Sequence, residues 1–82
     1  MVDFNPKDVD EIDIAEDYGH CEGAGASGFQ VINVILTMND GSELDVTENI
    51  DQGLFYESQK DVARSLGLDP NKIEFTNVPD YD

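Results

Sequence analysis

Carboxylates are the side chains of this sequence that are numerous enough, and spaced closely enough, to form a chemically functional site. Six of them fall in a ten-residue stretch that contains no Lys or Arg: Asp8, Asp10, Glu11, Asp13, Glu16 and Asp17. Clustered carboxylates can bind cations, transfer protons in catalysis, or contact a positively charged partner. No pair among the 19 acidic residues of the chain stands out for proton transfer. Cation binding and partner binding are therefore the two uses to compare.

A zinc site or a nucleophilic thiol would have to use His20 and Cys21, the one His and the one Cys of the chain. Zinc sites take about four ligands at recognised spacings such as paired CxxC motifs, and one adjacent His–Cys pair does not provide them. The flanking carboxylates of Glu16, Asp17 and Glu22 disfavour the thiolate that nucleophilic catalysis needs. We therefore predict neither a zinc site nor an enzyme.

A calcium loop of the EF-hand type is the next possibility, with oxygen ligands beginning at Asp8. Such a loop needs Gly at its sixth position and Glu at its twelfth, where this sequence has Asp13 and Gly19. The sequence therefore predicts no dedicated metal site and no cofactor. A weaker cation-binding module that uses Asp8–Asp13 and Glu22 remains an alternative.

The stretch that follows the acidic residues is rich in glycine. Gly23, Gly25 and Gly28 match the G-x-G-x-x-G spacing of dinucleotide-binding loops. Those loops open a helix, whereas here a strand is predicted to follow, and the nearby carboxylates would repel a phosphate. We interpret the stretch as a flexible linker.

The total charge limits the partners that the chain can bind. Nineteen acidic and four basic residues give a net charge of −15. Lys and Arg are needed to neutralise nucleic-acid phosphates and to approach anionic membranes, so electrostatic binding to nucleic acid is excluded and binding to an anionic membrane is disfavoured. The charge favours a basic partner, bound cations or a salty solvent. The N-terminal residues carry neither the basic nor the apolar region of a signal peptide, so we expect a cytoplasmic protein.

These acidic groups must be positioned by the elements of one small domain, because 82 residues suffice for one. Residues 1–28 are predicted to form an acidic segment with a Gly-rich loop, and residues 29–78 a hairpin, a helix and a strand. The element order β-β-β-α-β predicts an α+β fold. In this fold one helix packs on an antiparallel sheet of three to four strands.

Period-two patterns mark the strands. Ile12 and Ile14 predict a short strand near Glu11–Glu16 and tie the acidic residues to the core. Alternation through Phe29–Thr47, interrupted by Asn-Asp-Gly, predicts a hairpin. A last strand is predicted over Lys72–Val78.

Between the hairpin and the last strand, apolar residues recur at helical spacing: Ile50, Leu54, Phe55, Val62, Ala63 and Leu66. Gly53 weakens the first turn, so we expect the regular helix to begin near Leu54 or Tyr56. Gly67 is the expected left-handed residue after the helix, and Leu68 its apolar follower.

These elements place further carboxylates at regular spacings. On a strand, residues i and i+2 stand roughly 6.5–7 Å apart on one face, as for Glu43 and Asp45. On a helix, residues i and i+4 stand about 5–6 Å apart, as expected for Glu57 and Asp61. Rows of carboxylates at such spacings can imitate the charges of a nucleic-acid backbone, so that a basic groove accepts the protein in place of its nucleic acid.

In charge and size the chain resembles the small acidic DNA mimics that phages direct at host nucleases, restriction enzymes or CRISPR effectors. The resemblance implies a non-enzymatic inhibitor, of the anti-CRISPR or anti-restriction kind, whose partner is a basic nucleic-acid-binding protein. No family motif accompanies it, so no residue role is carried over. The alternatives are the cation-binding module and a salt-adapted accessory domain whose acidity serves solubility.

We expect the partner to contact two groups of residues. The first group is the ten carboxylates Asp8, Asp10, Glu11, Asp13, Glu16, Asp17, Glu43, Asp45, Glu57 and Asp61. The second is the aromatic residues Tyr18 and Tyr56, with Phe4 and Tyr81 as further candidates, because Tyr is enriched at binding hot spots. Packing against the helix is an equally good interpretation of Tyr56.

Overall fold

A four-stranded sheet and one short α-helix form the core in the computed structural model, which describes residues 2–17 and 28–77. The strands are β1 Val9–Asp17, β2 Gln30–Met38, β3 Glu43–Asp45 and β4 Glu74–Phe75, and the helix α1 is Gln59–Ser65. Two 3-10 turns, Pro6–Asp8 and Thr47–Asn49, precede β1 and follow β3. The predicted α+β class and the order β-β-β-α-β are confirmed. Tyr18, His20, Cys21, Tyr81 and most of the Gly-rich stretch lie outside the described residues.

The sheet has the strand order β3-β2-β1-β4. β1, β2 and β3 pair antiparallel as predicted, but β4 pairs parallel to β1. The sheet is therefore mixed and not purely antiparallel. The reason is the crossover: after β3 the chain passes through α1 to the opposite edge of the sheet and arrives running in the direction of β1.

β4 is shorter than the predicted strand over Lys72–Val78, because only Glu74 and Phe75 pair with β1. Beyond them the backbone N–H of Thr76 donates to the carbonyl of Ile12 at 3.0 Å. The side-chain amide of Asn77 then donates to the carbonyl of Ile14 at 2.9 Å. At Asn77 a side-chain hydrogen bond thus takes the place of a backbone bond along this edge of β1.

Two bulges adjust which face each side chain occupies. Asp10 on β1 and Ile32 on β2 are extra residues in the β1–β2 register. Because of the second bulge, the buried residues Val31 and Val34 lie three positions apart and still face one core. The amide nitrogen of Gln52 donates to the carbonyls of Val31 at 3.3 Å and Ile32 at 2.8 Å. The carbonyl groups at the bulge are therefore hydrogen-bonded by a side chain from a neighbouring loop.

The helix begins later than predicted. Ser58 is its N-cap and accepts a hydrogen bond from the backbone N–H of Asp61 at 3.3 Å. Tyr56 cannot start the helix because its backbone forms an antiparallel bridge with Phe29, with N···O distances of 2.8 and 2.9 Å. Since α1 starts at Gln59, Glu57 lies outside the helix. The predicted i,i+4 pair of Glu57 with Asp61 on a helix is wrong.

The end of the helix agrees with the prediction. Gly67 has a φ of +82°, and its N–H donates to the carbonyl of Arg64 at 3.0 Å. The N–H of Leu68 donates to the carbonyl of Ala63 at 3.0 Å, and the Leu68 side chain is buried. This arrangement satisfies the last carbonyls of α1 and turns the chain towards β4.

Candidate protein-binding face of the sheet

The pairing of β1 with β2 assigns alternate side chains to two faces of the sheet. Ile12 and Ile14 are fully buried in the core that also contains Val62 and Ala63 of α1. Since side chains alternate along a strand, Glu11 and its neighbours at i+2 point to the opposite face. The predicted anchoring of the acidic segment by Ile12 and Ile14 is confirmed.

Six carboxylates occupy the face opposite the core, which we call the acidic face: Glu11, Asp13, Asp17, Glu43, Asp45 and Glu74. The register places four residues in one row across the sheet, Glu43, Thr37, Glu11 and Glu74. A second row runs Asp45, Ile35, Asp13. β2, the strand between the carboxylate-bearing strands β1 and β3, contributes no charged side chain.

The spacing of the acidic face follows from the sheet itself. Neighbouring strands lie about 4.8 Å apart and alternate residues about 6.7 Å apart along a strand. The carboxylates of β1 and β3 therefore form two lines on strands whose backbones are about 10 Å apart, and the uncharged Asn33, Ile35 and Thr37 of β2 lie between the lines. Because these positions are set by backbone pairing, the charge pattern is built into the fold.

One of these carboxylates is also held by local hydrogen bonds. Asp45 accepts from the N–H of Thr47 at 2.9 Å and from its hydroxyl at 2.6 Å. These bonds, the hydroxyl bond first, lower the pKa of the Asp45 carboxyl below its usual value of 3.8. The same hydroxyl oxygen of Thr47 accepts from the N–H of Val34 at 3.0 Å. Asp45 thus stays ionised while it connects the end of β3 to β2.

All four basic residues of the chain lie outside the strands. Lys7 is in the first 3-10 turn, Lys60 and Arg64 are in α1, and Lys72 is in the turn that leads to β4. Arg64 pairs with Asp61 at 2.8 Å on the exposed surface of the helix. The strand positions that form the acidic face therefore contain no Lys or Arg.

The structure brings together only part of the predicted carboxylate set. Glu11, Asp13, Asp17, Glu43 and Asp45 share the acidic face, whereas the remaining five lie elsewhere: Asp8, Asp10, Glu16, Glu57 and Asp61. Asp8 ends the first 3-10 turn and Asp10 is the bulge residue. Glu16 pairs with Val31 on the core side, and its carboxylate accepts from the amide of Gln59 at 2.9 Å.

The aromatic candidates within the described residues are less exposed than a free anchor would be. Tyr56 and Phe4 are half-buried and pack against the core cluster. Sequence reasoning also missed Glu74, which belongs to the acidic face. The sequence pattern indicated the last strand. It did not indicate that this strand pairs with β1, which places Glu74 on the same face as Glu11.

Three other features bear on function. Among residues 2–17 and 28–77, no group of three or more His, Cys, Asp or Glu side chains is placed to hold a metal ion. None of the helices in the described part of the chain is long and apolar enough to cross a membrane. A cavity of about 570 Å³ lies where the first 3-10 turn meets the segment after α1, and both Lys7 and Lys72 line it.

No protein-family model, no curated protein and no solved structure matches the chain.

Proposed function

We propose that this protein is a non-enzymatic inhibitor that occupies the basic nucleic-acid-binding surface of another protein. The carboxylates of the acidic face would take the positions of phosphates. One observation carries the proposal: six carboxylates and no Lys or Arg occupy the strand positions of one sheet face, and β1, β2 and β3 fix their spacing.

The arrangement of the two carboxylate lines supports mimicry of a duplex. The strands that carry them, β1 and β3, lie about 10 Å apart, which is of the same order as the width of the major groove of B-DNA, about 12 Å. Between the lines lies the uncharged strand β2, as a groove lies between two phosphate backbones. A basic protein surface that is shaped for a duplex would meet two lines of negative charge here.

The cost of the arrangement also supports a functional role. Glu11 and Glu74 are direct partners on adjacent strands, and like charges in such positions destabilise a sheet. Neutral polar side chains at these positions would remove this repulsion from the folded sheet. A binding surface can tolerate repulsion of this kind, because the partner supplies the opposite charge. The electrostatic field of the clustered carboxylates also speeds association with that partner.

The expected targets are cytoplasmic proteins that bind nucleic acid through a basic groove. The resemblance to phage DNA mimics makes DNA-cleaving defence complexes, of the restriction or CRISPR kind, the first class to test. Binding to such a groove would block DNA by occupancy, without chemistry on either partner.

The test is capture of proteins from a bacterial lysate on the immobilised protein, followed by mass spectrometry and DNA competition. We expect basic nucleic-acid-binding proteins to be retained and to be released by added duplex DNA. The variant Glu11→Gln, Asp13→Asn, Glu43→Gln removes three charges from the acidic face and should lose them.

A matched control removes the same number of charges elsewhere. Asp3→Asn, Asp40→Asn, Asp69→Asn also changes the net charge from −15 to −12, because three carboxylates become amides. These residues lie outside the strands, so this variant should retain most of the captured proteins. Equal losses in both variants would assign the binding to overall acidity, and an absence of basic proteins from the wild-type capture would refute the proposal.

A further inference from the structure

Three large apolar side chains are exposed on the described part of the surface. Ile32, Leu54 and Phe55 have exposed fractions of 54%, 53% and 50%. The sequence pattern assigns Leu54 and Phe55 to the buried side of a helix, but the structure places them in the loop before α1. We call these three residues the apolar patch.

The backbone holds the apolar patch in a defined place. The N–H of Leu54 donates to the carbonyl of Asp51 at 3.2 Å, and Tyr56 pairs with Phe29 through two backbone hydrogen bonds. The side-chain amide of Gln30 donates to the carbonyl of Gly53 at 3.2 Å. Residues 53–56 are thereby fixed alongside the start of β2, where Ile32 lies. The exposed side chains are presented by ordered backbone and not by a frayed end.

The surroundings of the apolar patch are acidic. Gln30 is the register partner of Asp17, so the loop that carries Leu54 and Phe55 adjoins one end of the acidic face. Asp51 and Glu57 are exposed on either side of this pair in the same loop, and residues 48–57 contain no Lys or Arg. An apolar centre beside charged side chains is the organisation of a binding hot spot with a polar rim.

We infer that the apolar patch anchors the protein on an apolar side chain that projects from a positively charged surface of its partner. This inference rests on the proposed function and specifies its contact. Charge decides between possible occupants of the patch. A second copy of the chain would bring another net charge of −15 to the same rim, whereas a cationic surface is complementary to the exposed Asp51 and Glu57.

Two synthetic peptides of equal positive charge test the inference. One contains only Lys and Gly, and the other has Leu and Trp in place of two Gly residues. Binding to the fluorescently labelled protein is measured as anisotropy at several salt concentrations. We expect the wild type to bind the apolar peptide about tenfold more tightly, about 1.4 kcal/mol. Leu54→Ser with Phe55→Ser should abolish this preference and leave binding of the Lys–Gly peptide unchanged.

A second variant guards against a folding artefact. Ile32→Thr alters the patch from β2 and should reduce the preference for the apolar peptide. Circular dichroism should show that each variant remains folded. Equal binding of the two peptides to the wild type, or a preference that survives both patch variants, would overturn the inference.

The outcomes separate this inference from the proposed function. The variant with Glu11, Asp13 and Glu43 neutralised should bind both peptides more weakly and with a smaller salt dependence, but should keep the apolar preference. Undiminished binding by that variant would refute the role of the acidic face. Sedimentation at high salt tests for a second copy as the occupant. Dimers of the wild type that Phe55→Ser dissociates would overturn this inference but leave the proposed function standing.

Discussion

Neutralising Glu11 should make the protein more stable, because like charges surround this residue. Glu74 is its direct partner on β4, Asp13 lies two residues along β1, and Glu43 lies one strand beyond β2. The sheet spacings place these neighbours about 5, 7 and 10 Å from Glu11. Glu11→Gln removes all three repulsions and keeps the length of the side chain.

The expected gain follows from Coulomb's law. In water, unit charges at these three separations repel by about 0.8, 0.6 and 0.4 kcal/mol. Screening with a Debye length of about 8 Å at 0.15 M salt reduces the sum to about 0.8 kcal/mol. The same sum is about 1.5 kcal/mol at 0.01 M and about 0.2 kcal/mol at 1 M. For a domain of this size, 0.8 kcal/mol corresponds to a rise in Tm of about 3–6 °C.

The assay is urea or thermal unfolding of the wild type and Glu11→Gln, followed by circular dichroism at the three salt concentrations. Asp3→Asn is the matched control, because Asp3 is exposed and lies outside the strands. The stabilisation by Glu11→Gln should exceed that of the control and shrink as salt rises. A gain that is the same at high and low salt, or a loss of stability at low salt, would refute the charge pattern assigned to the acidic face.

Three further changes test the structure. Gly28→Ala should lower the free energy of unfolding by about 1–3 kcal/mol, because Gly28 has a φ of +89° and a Cβ there would lie 2.3 Å from the carbonyl oxygen of Tyr56. An unchanged Tm would contradict the bridge between Phe29 and Tyr56. Ser58→Ala should cost about 1 kcal/mol in urea unfolding through loss of the N-cap, whereas Ser58→Asp should not. Because the pKa of Asp45 is lowered, its contribution is present above pH 3.8 and lost as the pH falls through the folded-state pKa. The difference in unfolding free energy between wild type and Asp45→Asn should therefore shrink on acidification from pH 5, and a constant difference would contradict it.

Much of the fold could be predicted from the sequence, because the relevant signals are local. The Asn-Asp-Gly turn and the alternation around it specified the β2–β3 hairpin, and Gly67 specified the end of the helix. The start of the helix could not be predicted in the same way. Leu54 and Phe55 have helical spacing, but the backbone of Tyr56 forms hydrogen bonds with Phe29, which is 27 residues away (56 − 29).

The candidate site was predictable along each strand but not across strands. The period-two spacing of Glu11 and Asp13, and of Glu43 and Asp45, assigns each pair to one face of its own strand. Nothing local states that β2 separates the two strands, or that Glu74 lies next to Glu11. The bulge at Asp10 and the core-side position of Glu16 also depend on register. Strand order and register depend on contacts between distant parts of the chain, so the local sequence pattern could not predict which carboxylates share the acidic face.

The parallel pairing of β4 has a consequence for how the chain reaches its native state. Glu74 follows its partner Glu11 by 63 residues (74 − 11), so this contact closes a much longer loop than the β2–β3 hairpin does. Long-range pairings form late because the chain entropy of closure must be overcome first. During synthesis this edge of β1 therefore stays open until Glu74 and Phe75 have emerged. In that interval we expect the carboxylates of β1 to disfavour edge-to-edge pairing between two unfinished chains, because charged side chains on an open strand edge repel one another.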